Sequence, residues 1–363
     1  MSRQPQEPIR VAVIGVGSFG RNHARVYREL ENEQSALAAT RSSANSEAAE
    51  AALRAPRLKL AAVVDRDRAR AEATANEFGT KAYAGIDELL AAGSIDAASV
   101  AVPTVQHLSV ARRLMEAGVD VLVEKPLALD VAQADALIEL AHRHQRVAQA
   151  GHLERFNPAV RAALPHITRP MFFEVHRLSV FTPRSLDVDV VMDLMIHDLD
   201  VVLSLVNSPV REIRAVGLPV LTPKVDIANV RVEFESGCVA NFTASRVSTE
   251  KVRKLRFFQP HQYVSLDYSR RDMFMLTVKP PGESHGDGTQ FALPQIVPSK
   301  PQVAAEEPLK AELRSFLEAV DKRTPPIVSF EDGRRALELA LQIRSQIEEH
   351  SARAGVAELR RWR

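Results

Sequence analysis

Through Gly151, short apolar runs alternate with stretches whose apolar residues recur every three to four positions. A short apolar run bounded by turn residues predicts a buried strand, and the longer period predicts an amphipathic helix. The predicted strands are Ile9–Ile14, Leu58–Val64, Ala82–Tyr83, Ala97–Val102, Val119–Glu124 and Val147–Gly151, and the predicted helices are Arg21–Leu30, Arg68–Phe78, Asp87–Ala92, Gln106–Ala117 and Leu127–His144. This alternation predicts an α/β domain with a doubly wound parallel sheet.

After Gly151 the pattern changes to strands joined by short turns, with the helices grouped apart from them. The predicted strands are Met171–Val180, Ala215–Leu221, Ala228–Phe234, Cys238–Ser245, Arg253–Phe258 and Tyr263–Asp267, and the predicted helices are Asp189–Leu205, Glu306–Ala319 and Phe330–His350. We expect a hairpin turn at Glu235-Ser236-Gly237 and a loop over the proline-rich Pro280–Ala304. This half predicts an α+β domain with an open, largely antiparallel sheet. The expected domains are residues 1–151 and 152–363, with the C-terminal helices able to pack back on the first domain.

Composition narrows the class of protein. A chain of 363 residues suits two domains, and a net charge of +1 argues against nucleic acid or a membrane surface as the main partner. The single cysteine excludes an intramolecular disulfide and fits a reducing compartment. No stretch approaches ~18 uninterrupted apolar residues, and the first residues do not resemble a signal peptide. We therefore expect a cytoplasmic protein.

The first strand runs directly into the string Gly15-Val16-Gly17-Ser18-Phe19-Gly20, which a predicted helix follows. The strand, glycine turn and helix together are the context in which GxGxxG binds a dinucleotide, as in a Rossmann domain. In that motif the glycines allow the tight turn, the close approach of a pyrophosphate and the packing of helix on strand. The alternative interpretation is a turn with a structural role only.

The second predicted strand ends at Asp65. A carboxylate there accepts from ribose hydroxyls and repels a 2′-phosphate, so NAD is expected rather than NADP, although Arg66 could soften that preference. The gap from Gly20 to Asp65 is longer than the usual ~20 residues. We interpret the excess, about residues 31–56, as a tolerated surface insertion with a helix over Ser43–Arg54, a functional role being the alternative.

The fifth predicted strand ends in Glu124-Lys125-Pro126. Ligands of open α/β sheets bind beyond the carboxyl ends of the strands, so Lys125 is a candidate site residue, with a solvent-facing lysine as the alternative. Glu124 joins the expected cofactor contacts. Pro103, Thr104 and His107, which follow the fourth strand, are expected along the same edge; a solvated or capping role is the alternative for the histidine.

In the second half, Asp193, His197 and Asp200 have the spacing of one helix face. A histidine one turn from an aspartate suits a general base with an orienting or substrate-binding carboxylate. A satisfied structural His–Asp pair is one alternative. A metal site is another, but a third clearly spaced ligand is missing, and we expect no metal.

These motifs together resemble the Gfo/Idh/MocA family of oxidoreductases across nearly the whole chain. The matching residues are Gly15, Gly17, Gly20, Pro103, Thr104, His107, Glu124, Lys125, Pro126, Asp193, His197 and Asp200. The resemblance implies an NAD(P)-dependent enzyme acting on CH–OH groups, with Lys125, Asp193 and His197 as catalytic residues and a homodimer or homotetramer formed through the open sheet. Met195 departs from the family, many members of which have glycine at that position.

A narrower resemblance, to the UDP-N-acetylglucosamine 3-dehydrogenase branch, rests on Gly151–Pro158 and on Asp193–Asp198. It implies oxidation of a sugar nucleotide to a 3-keto product, which an aminotransferase of lipid A-type biosynthesis then consumes. His152, Arg155 and Asn157 would then contact the substrate, together with Asp193 and His197. The alternative is that Arg155 pairs with Glu154 and that Asn157 caps the next helix.

The expected mechanism has His197 taking the hydroxyl proton while Lys125 stabilises the alkoxide and Asp193 orients the histidine or a neighbouring hydroxyl. Two other functions stay open. One is oxidation of inositol, a free sugar or UDP-N-acetylglucosaminuronate, the last requiring an added cation for which Arg177 and Arg184 are candidates. The other is a catalytically silent, NAD-binding regulatory protein.

Overall fold

The computed structural model describes residues 7–39, 57–93, 95–182, 188–279 and 294–356. The chain divides into two compact units, one formed by Met1–Leu153 and Glu307–Leu337 and the other by Glu154–Glu306 and Glu338–Arg363. The expected helix at Ser43–Arg54 and the candidate Arg184 lie outside the described residues.

Fourteen strands and nine α-helices are present in these described ranges. The strands are β1 (Ile9–Ile14), β2 (Leu58–Val64), β3 (Lys81–Tyr83), β4 (Ala97–Val100), β5 (Asp120–Glu124), β6 (Ala148–Gly151), β7 (Phe172–Leu178), β8 (Val210–Leu218), β9 (Ile227–Phe234), β10 (Val239–Ser245), β11 (Val252–Gln259), β12 (Gln262–Asp267), β13 (Asp272–Lys279) and β14 (Gln295–Ser299). The helices are α1 (Ser18–Ala39), α2 (Arg68–Phe78), α3 (Ile86–Ala92), α4 (His107–Glu116), α5 (Val131–Arg143), α6 (Pro158–Ala163), α7 (Ile196–Leu205), α8 (Pro308–Lys322) and α9 (Phe330–Arg353). None of the helices described is both long and apolar enough to cross a membrane.

The first unit contains a six-stranded sheet in the order β3-β2-β1-β4-β5-β6. All its neighbouring strands are parallel, which confirms the predicted doubly wound sheet. The strand order reverses between β1 and β4. In such sheets the crevice at the carboxyl ends of the two central strands is where ligands bind, so the residues after β1, β4 and β5 are placed for a site.

The core of this unit combines β1, α1 and α8. Val11 and Val13 of β1, Tyr27 of α1 and Phe316 and Leu313 of α8 are fully buried in one cluster. The helix α1 is longer than predicted and continues to Ala39, into the segment interpreted as an insertion. The C-terminal helix α8 thus packs on the first unit although it follows the second unit in the chain.

The second unit contains an eight-stranded sheet in the order β14-β13-β12-β11-β7-β10-β9-β8. Only β7 and β10 are parallel among its described pairs, so the sheet is largely antiparallel, as predicted. The hairpin turn between β9 and β10 is also confirmed, since Gly237 N–H donates to Phe234 C=O at 2.9 Å.

Two strands of this sheet were not predicted. β13 was missed because its residues show no clean two-residue alternation of apolar and polar positions. Which of its side chains are exposed and which are buried depends on the neighbouring strands β12 and β14. The expected loop over Pro280–Ala304 is wrong at Gln295–Ser299, which forms the edge strand β14. Pro298 is tolerated there because an edge strand has one side without a partner.

Candidate active site

The glycine turn after β1 has the geometry that a dinucleotide requires. Gly15 has φ +87°, a left-handed conformation that favours glycine. A Cβ on Gly20 would lie 1.8 Å from Gly15 O, so only glycine permits α1 to pack this closely on the turn. A Cβ on Gly17 would meet nothing within 4 Å, so this part of the turn faces open space. Ser18 and Phe19 are exposed in the first turn of α1, whose N–H groups suit a phosphate.

Asp65 ends β2 beside this turn and is 8% exposed. Its carboxylate accepts from Val16 N–H at 3.0 Å and from Asp67 N–H at 2.9 Å, which fixes its orientation. Arg70 lies 3.4 Å from both carboxylate oxygens. Carboxylate oxygens carry further lone pairs, so Asp65 can also accept from ribose hydroxyls.

A cavity of about 680 Å³ joins these residues within the first unit. Gly15, Gly17, Asp65, Arg66 and Pro103 all line it, as the sequence led us to expect. The structure therefore brings the glycine turn, the strand-end carboxylate and the segment after β4 around one space. The glycine turn with its open side and the oriented carboxylate fit a dinucleotide cofactor.

His107 is not placed as a direct cofactor contact. Its ring is 1% exposed, with Nδ1 3.0 Å from Pro126 O and Nε2 2.9 Å from Val102 O. Burial lowers the pKa of His107, although the carbonyl contacts oppose that shift. Both the expected cofactor contact and the solvated alternative are wrong, because the ring is enclosed between the segments that follow β4 and β5. Thr104 begins a short 3₁₀ turn next to it.

The end of β5 holds Glu124 and Lys125. Glu124 is 8% exposed, and a Cβ on the neighbouring Gly151 would lie 2.8 Å from its Oε1, so the carboxylate needs glycine at that position. Lys125 is half-buried, and its peptide bond to Pro126 is cis. His152, expected to contact substrate, is 1% exposed just after β6.

In the second unit, the candidate helix begins with a π-helical turn. Asp189 caps it by accepting from Val191 N–H and Met192 N–H at 3.0 Å each, and Ile196 N–H bonds to Val191 O, five residues back. The regular four-residue spacing assumed for Asp193 and His197 is therefore interrupted before α7 begins. π-helical turns occur frequently at functional sites.

The structure keeps Asp193 and His197 half-buried but encloses Asp200. Asp200 is 1% exposed, and its Oδ1 lies 3.4 Å from Nη1 of Arg155. Asp200 is therefore more enclosed than Asp193 and His197, and a shared helix face for the three side chains stays a prediction. The ion pair of Arg155 is with this aspartate, whereas Glu154, its expected alternative partner, binds Arg177.

Arg177 is the centre of a buried ion cluster beside the same helix. It is 3% exposed, and it donates to Asp198 through Nε (2.6 Å) and Nη2 (2.8 Å) and to Glu154 through Nη1 (3.0 Å). Desolvation raises the pKa of the Asp198 carboxyl, and the Arg177 cation opposes the rise. The candidacy of Arg177 as a cation for a substrate carboxylate is wrong, because its donors are committed to these internal carboxylates. Asp198 directly follows His197, so the cluster anchors the candidate base to β7.

Asn157 has the capping role rather than the expected substrate contact. Its Oδ1 accepts from Ala159 N–H at 3.1 Å, ahead of Pro158 at the start of α6. Its Nδ2 donates to Glu154 (3.0 Å) and to Tyr268 O (3.2 Å). With 2% exposure and these partners, the amide completes the ion cluster.

Two residues near the candidate site were missed in the sequence. Arg253 faces Arg177 across β11 and β7, and burial and the Arg177 charge lower its pKa while Glu154, Asp198 and Asp193 oppose that shift. His23 lies in α1, and its Nε2 is 3.1 Å from Oε1 of Glu124. The only signal for the histidine was its place three residues after the last glycine. Arg253 gave no local signal, because its neighbours come from other elements.

Lys125 belongs to the first unit, and Asp193 and His197 belong to the second. Their joint action on one substrate is therefore part of the functional proposal below. Within the described parts of the chain, no group of three or more His, Cys, Asp or Glu side chains could hold a metal ion.

Comparison with known proteins places this chain in a family. Residues 9–152 match the oxidoreductase family with an NAD-binding Rossmann fold, and residues 166–259 match the GFO/IDH/MocA C-terminal domain. The chain is 36% identical over 341 residues to UDP-N-acetylglucosamine 3-dehydrogenase of Acidithiobacillus ferrooxidans, a match covering 94% of this chain and 97% of that protein.

A solved structure and one further relative agree with this placement. A solved structure of UDP-N-acetylglucosamine 3-dehydrogenase from Acidithiobacillus ferrooxidans has a TM-score of 0.80 and 34% identity, and covers 95% of this chain and 99% of that one. Myo-inositol 2-dehydrogenase of Thermotoga maritima is 25% identical over 94% of this chain and 97% of its own length. The glycine turn, the parallel sheet, the antiparallel sheet and these matches together show that the chain belongs to the Gfo/Idh/MocA family of oxidoreductases.

Proposed function

We propose that this protein uses NAD to oxidise a hydroxyl of a sugar nucleotide to a ketone, and that its substrate is UDP-N-acetylglucosamine, oxidised at C3. The observation that carries the proposal is the 36% identity, over 97% of the relative's length, to a protein named for that reaction. The two strings that suggested this branch, Gly151–Pro158 and Asp193–Asp198, lie in the described part of the chain.

NAD is proposed rather than NADP because of the charge and orientation of Asp65. Two backbone N–H groups hold its carboxylate at the cavity, where it would accept from the ribose hydroxyls and repel a 2′-phosphate. Arg66 and Arg70 line the same cavity, and their positive charges favour the 2′-phosphate of NADP. The proposed preference for NAD therefore rests on the Asp65 carboxylate. We propose that Gly15, Gly17, Ser18, Phe19 and Gly20 hold the pyrophosphate.

Each candidate catalytic residue has a proposed role. When bound, NAD supplies the acceptor for the hydride of the carbinol carbon. We assign to a ring nitrogen of His197 the role of accepting the hydroxyl proton, and to Nζ of Lys125 the role of stabilising the developing alkoxide. Asp193 orients His197 or a substrate hydroxyl. Arg155 is the proposed diphosphate ligand, because its planar guanidinium has five N–H donors.

A second candidate is oxidation of an inositol. Relatives at 25–26% identity are named myo-inositol 2-dehydrogenase in Thermotoga maritima and scyllo-inositol 2-dehydrogenase (NAD(+)) in Bacillus subtilis. The pure protein is incubated with NAD or NADP and with UDP-N-acetylglucosamine, UDP-N-acetylglucosaminuronate, myo-inositol or free N-acetylglucosamine, and reduced cofactor is followed by absorbance. Turnover of inositol without turnover of UDP-N-acetylglucosamine contradicts the proposed substrate. Binding of NAD without any turnover favours the silent regulatory protein.

The product points to a following step. Oxidation of an alcohol by NAD is drawn forward when the ketone is removed, and an aminotransferase removes ketones. We propose that such an enzyme consumes the 3-keto product on the way to a diamino-sugar lipid A. Adding a sugar-nucleotide aminotransferase and an amino donor should then increase the yield of reduced cofactor. An unchanged yield would contradict this step alone.

We propose a homodimer or homotetramer formed through the open face of the second sheet. Phe172, Phe258 and Tyr263 are neighbours on that face, with ring centroids 5.6 and 5.1 Å apart, and Phe258 and Phe274 are 37% and 39% exposed. Partly exposed aromatic residues grouped on one face are typical of an interface. Light scattering of the wild type and of Phe258→Glu tests this; a monomeric wild type contradicts it.

A further inference from the structure

His23 is fully buried in the first unit, at 0% exposure, one turn into the helix that begins with the glycine turn. Its ring packs edge-on against Phe19, with centroids 5.1 Å apart. Its Nε2 lies 3.1 Å from Oε1 of Glu124, the residue that precedes Lys125. One side chain therefore contacts both the glycine turn and the end of β5.

The polar atoms of this contact are incompletely satisfied. Among the described residues, Nδ1 and Nε2 of His23 and Oε1 of Glu124 have no hydrogen-bond partner of good geometry, although the two groups are within ion-pair distance. Buried polar atoms in native proteins are nearly always hydrogen-bonded, so each exception calls for an explanation, such as a bound water, an ion or a catalytic role. The carboxylate therefore has capacity for a further donor, such as a hydroxyl.

The surroundings of Glu124 leave few other positions for its carboxylate. Gly151 of β6 lies directly against it, so that even a methyl group there would come within 2.8 Å of Oε1. On another side, Nε2 of the His23 ring lies within ion-pair distance of Oε1. The His23 ring therefore restricts the orientations that the Glu124 carboxylate can take.

We propose that His23 is a positioning residue: it orients the Glu124 carboxylate toward the bound dinucleotide and thereby links occupation of the glycine turn to the placement of Lys125. This inference rests on the proposed function, because it requires a dinucleotide in the first unit. A ribose hydroxyl of that cofactor is the kind of donor that would satisfy Oε1 of Glu124. Phe19 transmits the position of the turn to the His23 ring through its edge-on packing.

The test is a double-mutant cycle on the pair, read by NAD affinity. The variants are His23→Leu, Glu124→Gln and both together, and the dissociation constants of NAD and NADH are measured by calorimetry and by NADH fluorescence without substrate. Each single change should weaken NAD binding about tenfold, which corresponds to 1.4 kcal/mol. The double variant should lie within about threefold of the weaker single variant, because both changes remove the same interaction.

A matched control is present in the same unit. His142 and Glu331 form a similar pair, with Nε2 and Oε1 3.2 Å apart, but their side chains are 74% and 49% exposed. The cycle His142→Leu and Glu331→Gln should leave NAD affinity unchanged, because exposed pairs contribute little and this one faces solvent. The conservative variant His23→Gln keeps an N–H donor and should regain most of the affinity lost in His23→Leu. If His23→Leu does not fold, His23→Met, which also lacks a hydrogen-bonding ring nitrogen, carries the cycle instead.

The outcomes separate this inference from the proposed function. One outcome is that the wild type binds NAD and turns over substrate while the loss of NAD affinity in the double variant equals the product of the losses in the two single variants. In that case His23 only packs the turn, and the inference is overturned. The same holds if His23→Leu lowers Tm while the dissociation constant of NAD is unchanged. If the wild type binds neither NAD nor NADP, the proposed function fails, and this inference fails with it.

Discussion

Replacing Arg177 by methionine tests whether the buried ion cluster stabilises the second unit. The guanidinium is 3% exposed and holds Asp198 through two donors and Glu154 through a third. Methionine keeps most of the length of the side chain and removes the charge. Both carboxylates then remain buried without their cation.

The expected loss follows from the burial of those carboxylates. Removing one partner of a buried ion pair costs about 3–5 kcal/mol, because the remaining charge has neither water nor a counter-ion. For a unit of this size each kcal/mol lowers Tm by about 2–4 °C, so we expect a fall of about 6–20 °C. The sheet strand β7 and the helix α7 would lose their strongest polar connection.

The loss should also depend on pH. Burial raises the pKa of Asp198 already in the wild type, and removing Arg177 removes the cation that opposes the rise. A carboxyl whose pKa is raised in the folded state binds its proton there at a higher pH than in the unfolded chain. The folded state therefore gains stability as the pH falls from the folded-state pKa to the unfolded-state pKa. The deficit of Arg177→Met is therefore largest at high pH and shrinks toward acid.

Thermal unfolding followed by circular dichroism, at several values between about pH 5 and pH 8, measures this directly. The control is Arg214→Met on β8, whose side chain is 79% exposed beside Glu212 and whose loss should cost less than about 1 kcal/mol. Adding Asp198→Leu to Arg177→Met should recover part of the loss, since it removes one uncompensated charge. A Tm of Arg177→Met within about 2 °C of the wild type at high pH would refute the reasoning.

Three further outcomes are expected. Lys125→Ala and His197→Ala should each lower kcat about 10²–10⁴-fold while NAD still binds in calorimetry, and near-normal turnover would contradict their roles. Gly20→Ala should disrupt the turn and lower Tm. Gly17→Ala has open space for its methyl group, so it should fold normally but bind NAD weakly. Equal effects of the two changes on Tm would contradict this. Burial depresses the pKa of His107 in the folded state, so the stability that the neutral ring contributes is complete above pH 6.5 and is lost below it. The Tm advantage of the wild type over His107→Gln should therefore narrow as the pH falls. A Tm difference that stays constant would count against a buried neutral ring.

Local signals were sufficient for most of the first unit. β1, β2 and α2 have the predicted bounds, and α2 shows why: the Asp67 side chain accepts from Arg70 N–H at its start, and Gly79 takes a left-handed conformation at its end. Start and stop signals of this kind lie within a few residues of the helix, so they are readable without knowledge of the fold. The glycine turn and the acidic strand end are equally local, and they line one cavity as expected.

The tertiary structure decided the parts that depend on distant partners. Arg177 and Asn157 looked suited to bind a substrate, but their partners Asp198 and Tyr268 are 21 and 111 residues away in the chain and enclose them. Asp200 had the spacing of a site residue, but the folded chain buries it beside Arg155.

Most strands and helices, the dinucleotide motif and the candidate pair Asp193 and His197 follow from the sequence alone. Periodicity and turn residues act over a few positions, and hydrophobic burial enforces them. Which polar side chain is buried, and with which partner, depends on contacts between segments far apart in the chain. His23 shows this most clearly, since only its 3.1 Å approach to Glu124 distinguishes it from any other polar residue in a helix.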